Sequence, residues 1–239
     1  MKYVYGPVRS RRLGNSLGIS TVPYKVCSFD CVYCQLKRTT QLTRRRMDYF
    51  RVKDIIDEVR SFFAHKPADT KIDYVTFSGS GEPTLHRSIG TLIRQVKKIS
   101  GVPVAVITNS TTLLEAGVRR DIRAADIIVP SLDAVTQDVF EKIDRPAAGV
   151  RIEEVIEALG RLRREFKGPI WLEVMLVRGL NDAPAYLEKM KRIIDRLTPD
   201  RVQFNAPVRP PAEAWVRPVT ATTLRAVRRI FGPGCDIVS

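Results

Sequence analysis

Ile72-Asp73-Tyr74-Val75-Thr76-Phe77-Ser78-Gly79-Ser80-Gly81-Glu82-Pro83-Thr84 begins as a short run of β-branched and aromatic residues and breaks into small, turn-forming ones. A brief apolar run closed by Gly and Pro reads as a short strand. The same grammar recurs on either side of it. Strands are expected near residues 17–22, 72–77, 102–107, 126–129, 171–177 and 201–205. Between them, apolar residues fall at helical spacing: Ile55, Ile56, Val59, Phe62 and Phe63, then Ile89, Leu92, Ile93, Val96 and Ile99. Two further sets follow, centred on Ile152, Val155 and Leu159 and on Leu187, Met190 and Ile194. Strand–helix alternation implies an α/β fold with a parallel sheet and helices outside, because parallel strands need crossovers. Six units stop short of a closed (β/α)8 barrel. The expectation is a partial (βα)6 TIM-like barrel over residues 1–211, including a basic N-terminal segment. A C-terminal extension, residues 212–239, carries a helix near 220–231 that is expected to cover part of the opening.

After the first strand comes Val26-Cys27-Ser28-Phe29-Asp30-Cys31-Val32-Tyr33-Cys34, three cysteines spaced C-x3-C-x2-C. A loop this short can wrap three thiolates around one metal centre. They are one ligand short of a closed zinc or cubane site, so a cubane held here keeps one iron open for another molecule. Zinc would want a fourth donor nearby, and His65 and His86 stand in unrelated segments. Cys235 lies far along the chain and reads as a small apolar filler. A disulfide framework is disfavoured in a chain without a signal peptide or an even, closely spaced cysteine set.

The loop, with Tyr33 just before its last cysteine, resembles the signature of the radical S-adenosylmethionine (SAM) enzymes. The context Tyr5-Gly6-Pro7-Val8-Arg9-Ser10-Arg11-Arg12-Leu13-Gly14, then Ser16-Leu17-Gly18-Ile19, is similar to a branch known mainly as iron–sulfur oxidoreductases, near the wyosine-base synthases of tRNA modification. The resemblance spans about residues 5–211 and implies the same partial barrel. It implies a [4Fe–4S] cluster on Cys27, Cys31 and Cys34, with SAM chelated at the open iron. An electron from a ferredoxin- or flavodoxin-like reductant would then cleave the sulfonium, giving a 5′-deoxyadenosyl radical that abstracts hydrogen from a substrate. No residue is singled out as catalytic.

Chemistry in such barrels gathers at the C-terminal strand ends. There Gly79-Ser80-Gly81-Glu82-Pro83 resembles the family's Gly-Gly-Glu-Pro motif, with Ser80 in place of a glycine. The resemblance assigns Gly79, Ser80, Gly81 and Glu82 to the SAM ammonium group, and Tyr33 to the cofactor site. Asn109 ends the third strand and is a further candidate for contact with the cofactor. Ser131-Leu132-Asp133 ends the fourth and is similar to the family's ribose-binding position, although Ser131 and Asp133 would equally suit helix caps. On the fifth strand Glu173 shares a face with Trp171 and Met175, and an acid among apolar neighbours is costly to bury without a partner. It is a candidate SAM or substrate ligand. Asn205, on the sixth, is a weaker candidate for the barrel floor. The pair Arg11-Arg12 suits bidentate capture of a phosphate or carboxylate.

The net charge of +14 is unevenly placed. Residues 1–53 hold twelve Lys and Arg against Asp30 and Asp48, a surplus of ten around the cysteine loop. Such a field draws in polyanions, which makes RNA a candidate substrate beside a peptide or a small phosphorylated metabolite. Free thiols and the lack of a targeting or membrane-length apolar segment predict a cytoplasmic protein with no membrane partner. A simple electron carrier would not explain the glycine-rich and Ser-Leu-Asp strand ends. A zinc-bearing RNA-binding module would not explain the six βα units.

Overall fold

The computed structural model describes residues 1–10 and 12–238. Its elements run β1 (Val4–Ser10), β2 (Gly14–Ile19), β3 (Val26–Cys27), β4 (Gln41–Leu42), α1 (Val52–His65), β5 (Tyr74–Phe77), α2 (Ile89–Ser100), β6 (Val104–Thr108) and α3 (Ala116–Ile122). They continue β7 (Ile127–Pro130), α4 (Gln137–Ile143), α5 (Ile152–Glu165), β8 (Trp171–Met175), α6 (Pro184–Leu197), β9 (Arg201–Asn205), α7 (Ala221–Phe231) and β10 (Cys235–Val238). One sheet has the order β1-β2-β5-β6-β7 and another the order β10-β9-β8. Parallel bridges from Ile128 to Ile170 and from Ser131 to Glu173 carry the first across to the second. The six parallel strands expected from the sequence are therefore β2, β5, β6, β7, β8 and β9, in chain order around an open wall.

Alternation along each strand decides what faces where. Leu17, Val75, Phe77, Val104, Val106, Ile128, Leu172, Val174 and Phe204 point outward and join the helices in the main core. Leu13, Ala105, Ile127 and Val129 point inward and, with Tyr74, Ile107 and Trp171, plug the lower lumen. Both faces are thus covered, which is why these strands read as almost unbroken apolar runs. Helix α2 buries Ile89, Leu92, Ile93 and Val96 completely, each contributing about 1.5–3 kcal/mol relative to exposure. It stops at Gly101, whose left-handed φ of 62° lets its N–H reach the Lys97 carbonyl.

Two edge strands depart from the six expected. β1 pairs antiparallel with β2, with a register shift between Tyr5 and Val8 around Gly6-Pro7. The Tyr5 ring fills the space Gly18 leaves, since a Cβ on Gly18 would lie 2.0 Å from it. At the other edge β10 pairs parallel with β9. Helix α7 does not cover the opening as expected: it packs beside α6, and Phe231 meets Phe204 on the outer face of β9 at 4.5 Å between ring centroids. No helix is long and apolar enough to cross a membrane among the described residues.

Candidate functional site

The cysteine loop leaves β2 and is fastened to three successive strand ends. Beyond β5, the Ser80 carbonyl accepts a hydrogen bond from Lys25 N at 2.6 Å, and Glu82 N donates to the Val26 carbonyl at 3.1 Å. A Cβ on Gly81 would fall 1.9 Å from that carbonyl, so only glycine fits. Beyond β6, Asn109 Nδ2 reaches Ser28 Oγ at 2.9 Å and Cys27 Sγ at 3.5 Å. Beyond β7, Tyr33 donates its hydroxyl to Asp133. Val32 N also bonds to the Ile143 carbonyl at 2.9 Å, and Asp30 N to the Asp144 carbonyl at 3.0 Å. β3 and β4 close the loop on itself.

Several residues expected to meet a cofactor are held by the protein itself. Glu82 is 2% exposed. Its Oε1 accepts from Thr108 Oγ1 at 2.8 Å and from both Thr84 N and the Thr84 hydroxyl, and its Oε2 from Asn109 N at 2.7 Å. Burial pushes its carboxyl above the ordinary range, and the four donors pull it back down. Asp133 accepts from Tyr33 and from Met175 N at 2.7 Å, and shares a hydrogen bond with Asp144. Burial raises both of these carboxyls. The close approach that Gly81 permits is made by the Val26 backbone. Gly79 stands at φ 105° beneath the Tyr5 ring, and Ser80 Oγ meets Ser20 Oγ at 3.1 Å.

Beneath the loop lies a cavity of about 580 Å³ lined by Tyr33, Cys34, Ser131, Asp133, Glu173 and Asn205, among others. Glu173 has the partners its burial requires: it forms an ion pair with Arg12 and accepts from Asn205 Nδ2 at 3.0 Å. Asn205 Oδ1 is buried without a hydrogen-bond partner among the described residues. Arg12 therefore serves the lumen, while Arg11 lies outside the described residues. The structure thus gathers Tyr33, Ser131, Asp133 and Glu173 around the cavity and leaves Gly79, Ser80, Gly81, Glu82 and Asn109 in its supporting shell.

The three thiols stand in a charged setting. Burial and the nearby Glu82 carboxylate push Cys27 up to about 12, and burial and Asp144 raise Cys31 well above the ordinary thiol range. Cys31 Sγ lies 3.6 Å from Asp144 Oδ1, and Lys25 Nζ donates to Cys34 Sγ at 3.2 Å. Among the described residues no three Cys, His, Asp or Glu side chains are drawn into a preformed metal cage. The donor set nonetheless fits an iron–sulfur cluster in kind: three soft thiols on one loop, held against an ammonium. A bound cation reverses the pressure that keeps buried thiols protonated. Among the described residues neither the other cysteine nor a histidine joins them. His86 is spent on the Phe50 carbonyl and Ser88 N, and Cys235 pairs with Val202 at the opposite end of β9. Sequence reasoning missed Lys25, because one lysine ahead of a cysteine carries no pattern that separates it from a surface residue.

Comparison with known proteins agrees with this architecture. The radical SAM superfamily profile matches residues 21–192. A Brachyspira hyodysenteriae protein named GTPase Obg is 37% identical over 99% of this chain, which spans only 34% of that protein. A Methanocaldococcus jannaschii protein of the UPF0026 family is 33% identical over 97% of this chain and 71% of its own length. Among solved structures, Streptococcus suis SuiB bound to S-adenosylmethionine superposes with a TM-score of 0.66 at 14% identity, covering 92% of this chain and 49% of SuiB.

Proposed function

Because the chain belongs to the radical SAM superfamily, and to the UPF0026 family, we propose that it is an enzyme that cleaves SAM reductively and uses the radical on a substrate in the barrel lumen. One observation carries this: the three-cysteine loop is fixed over a polar cavity at the C-terminal ends of six parallel strands. A [4Fe–4S] cluster on Cys27, Cys31 and Cys34 would supply the electron that breaks the SAM sulfonium bond, received from a small one-electron carrier protein. The chain's own residues hold the site together. Glu82 and Asn109 brace the loop from below, Tyr33 and Asp133 fix its far end, and Arg12 with Glu173 sets the charge of the lumen. Gly79, Ser80, Gly81 and Glu82 form the turn that supports the loop on the side where the SAM amino acid end would rest, and Ser131 and Asp133 line the cavity on the side where its ribose would.

The substrate reading is narrower than the charge of the N-terminal segment suggests. RNA is favoured by the surplus of ten charges in residues 1–53, whereas the lumen suits a small molecule or a single extruded group. Of Arg44, Arg45 and Arg46, only the first two are exposed. Arg46 donates to the Thr84 carbonyl at 3.0 Å and to Asp121 at 3.2 Å, so it holds structure together.

The test is anaerobic loading with iron and sulfide, followed by incubation with SAM and dithionite. A brown protein whose visible band bleaches on reduction, and which releases 5′-deoxyadenosine, is expected. Loss of iron binding in each of Cys27→Ala, Cys31→Ala and Cys34→Ala, but not in Cys235→Ala, completes the expectation. Four-iron loading retained in Cys31→Ala would defeat it.

A further inference from the structure

Lys25 stands two residues ahead of Cys27 at a left-handed φ of 56°, a conformation uncommon for a residue with a Cβ. Its backbone is fixed there by the Ser80 carbonyl on one side and by Thr40 N and Gln41 N on the other. The side chain is sealed from water, at 2% exposure. An ammonium is costly to bury unless an anion meets it. The other enclosed cations of this fold obey that rule: Arg119 is met by Glu165 at 3.1 Å, and Arg46 by Asp121 at 3.2 Å. Lys25 forms no ion pair with any Asp or Glu among the described residues, and its one side-chain hydrogen bond goes to Cys34 Sγ. The fold has thus enclosed a cation whose side-chain hydrogen bond goes to a thiol and not to a carboxylate.

We propose that Lys25 is the resident counter-cation of the cysteine loop, completed only when an iron–sulfur cluster gathers the thiolates, and that its charge makes that cluster easier to reduce. This rests on the radical SAM reading above. A cluster held by Cys27, Cys31 and Cys34 would take one electron from a low-potential one-electron donor, with no bond or proton moved. The Lys25 ammonium, fixed beside it where water cannot screen the charge, would favour the reduced state. Lys25 acts through the cluster and is a positioning residue.

The experiment compares full-length wild type, Lys25→Met and Lys25→Arg. Each is measured as apoprotein by urea unfolding, and after anaerobic loading by a redox titration followed through the EPR signal of the reduced cluster. Loaded Lys25→Met should show a reduction equilibrium at least about tenfold poorer, which for a one-electron couple is a midpoint about 59 mV lower. Lys25→Arg should stay near wild type. Apo Lys25→Met should unfold at higher urea than apo wild type, because it lacks the unpaired charge. An unchanged midpoint in loaded Lys25→Met overturns the proposal. So does an apo Lys25→Met that unfolds earlier than wild type, since the lysine would then be satisfied by the protein alone. If Lys25→Met takes up no iron while Lys25→Arg does, the requirement for charge is upheld; if neither does, the apoprotein comparison decides. A wild type that takes up no cluster defeats the radical SAM reading itself.

Discussion

At the scale of single residues, Glu82 shows how a motif can serve a site by holding its frame. All four of its hydrogen-bond partners are donors, two backbone amides and two hydroxyls. A carboxylate satisfies them all, and an amide cannot, because its NH2 would face a donor. Glu82→Gln should therefore cost about 1.5–3 kcal/mol of stability, the range for hydrogen bonds to a charged group. A lower urea midpoint with an unchanged m-value would register it. If Glu82 served SAM alone, the midpoint would stay where it is and only SAM affinity would fall. Asp133 follows the same logic: its carboxylate is committed to Tyr33 and Met175 N.

At the scale of elements, the turn after β5 and the cysteine loop form one unit. Gly81→Ala forces a methyl group into the Val26 carbonyl, and overpacking of this kind costs about 1–3 kcal/mol. The expected result is a lower thermal midpoint together with reduced iron retention, because the same shift displaces the chain entering Cys27. An alanine variant that keeps both would show that the two segments move independently. The six parallel strands were legible because each is short and largely buried, and five of them give way at their C-terminal ends to Ser or Asn, whereas β8 runs on into Leu176 and Val177. β1 was not legible. Its residues are largely exposed, Pro7 removes a donor, and it becomes a strand only because β2 and the Glu58 carboxylate receive its amides. β10 is short and follows Gly232-Pro233-Gly234, so only its pairing with β9 defines it. The site was legible as residue types at strand ends. Which of them face the cavity and which brace the loop depends on side-chain partners from distant segments, such as Arg12 for Glu173 and Asn109 for Glu82.

At the scale of the whole molecule, the uneven charge yields a test of the RNA reading. Arg44 and Arg45 are exposed beside the cysteine loop, whereas Arg161 and Arg164 are exposed on α5, outside the wall. Neutralising the first pair should flatten the salt dependence of tRNA binding by about two units of slope, roughly one for each phosphate that no longer meets an arginine. Neutralising the second pair should leave the slope unchanged. Equal effects would reduce the N-terminal surplus to general surface charge. The fastening of the cysteine loop to β5, β6 and β7 has a further consequence, in kinetics of exchange. Surface loops ordinarily open on their own and trade their amide protons with solvent quickly. Here the amides of Asp30 and Val32 are bonded to the carbonyls of Asp144 and Ile143, across more than a hundred residues of chain. They cannot be released without parting the loop from the C-terminal end of α4. Their protons should therefore exchange with deuterium as slowly as those of β6, at the rate of global unfolding, which makes this loop as much a part of the cooperative unit as the strands that carry it.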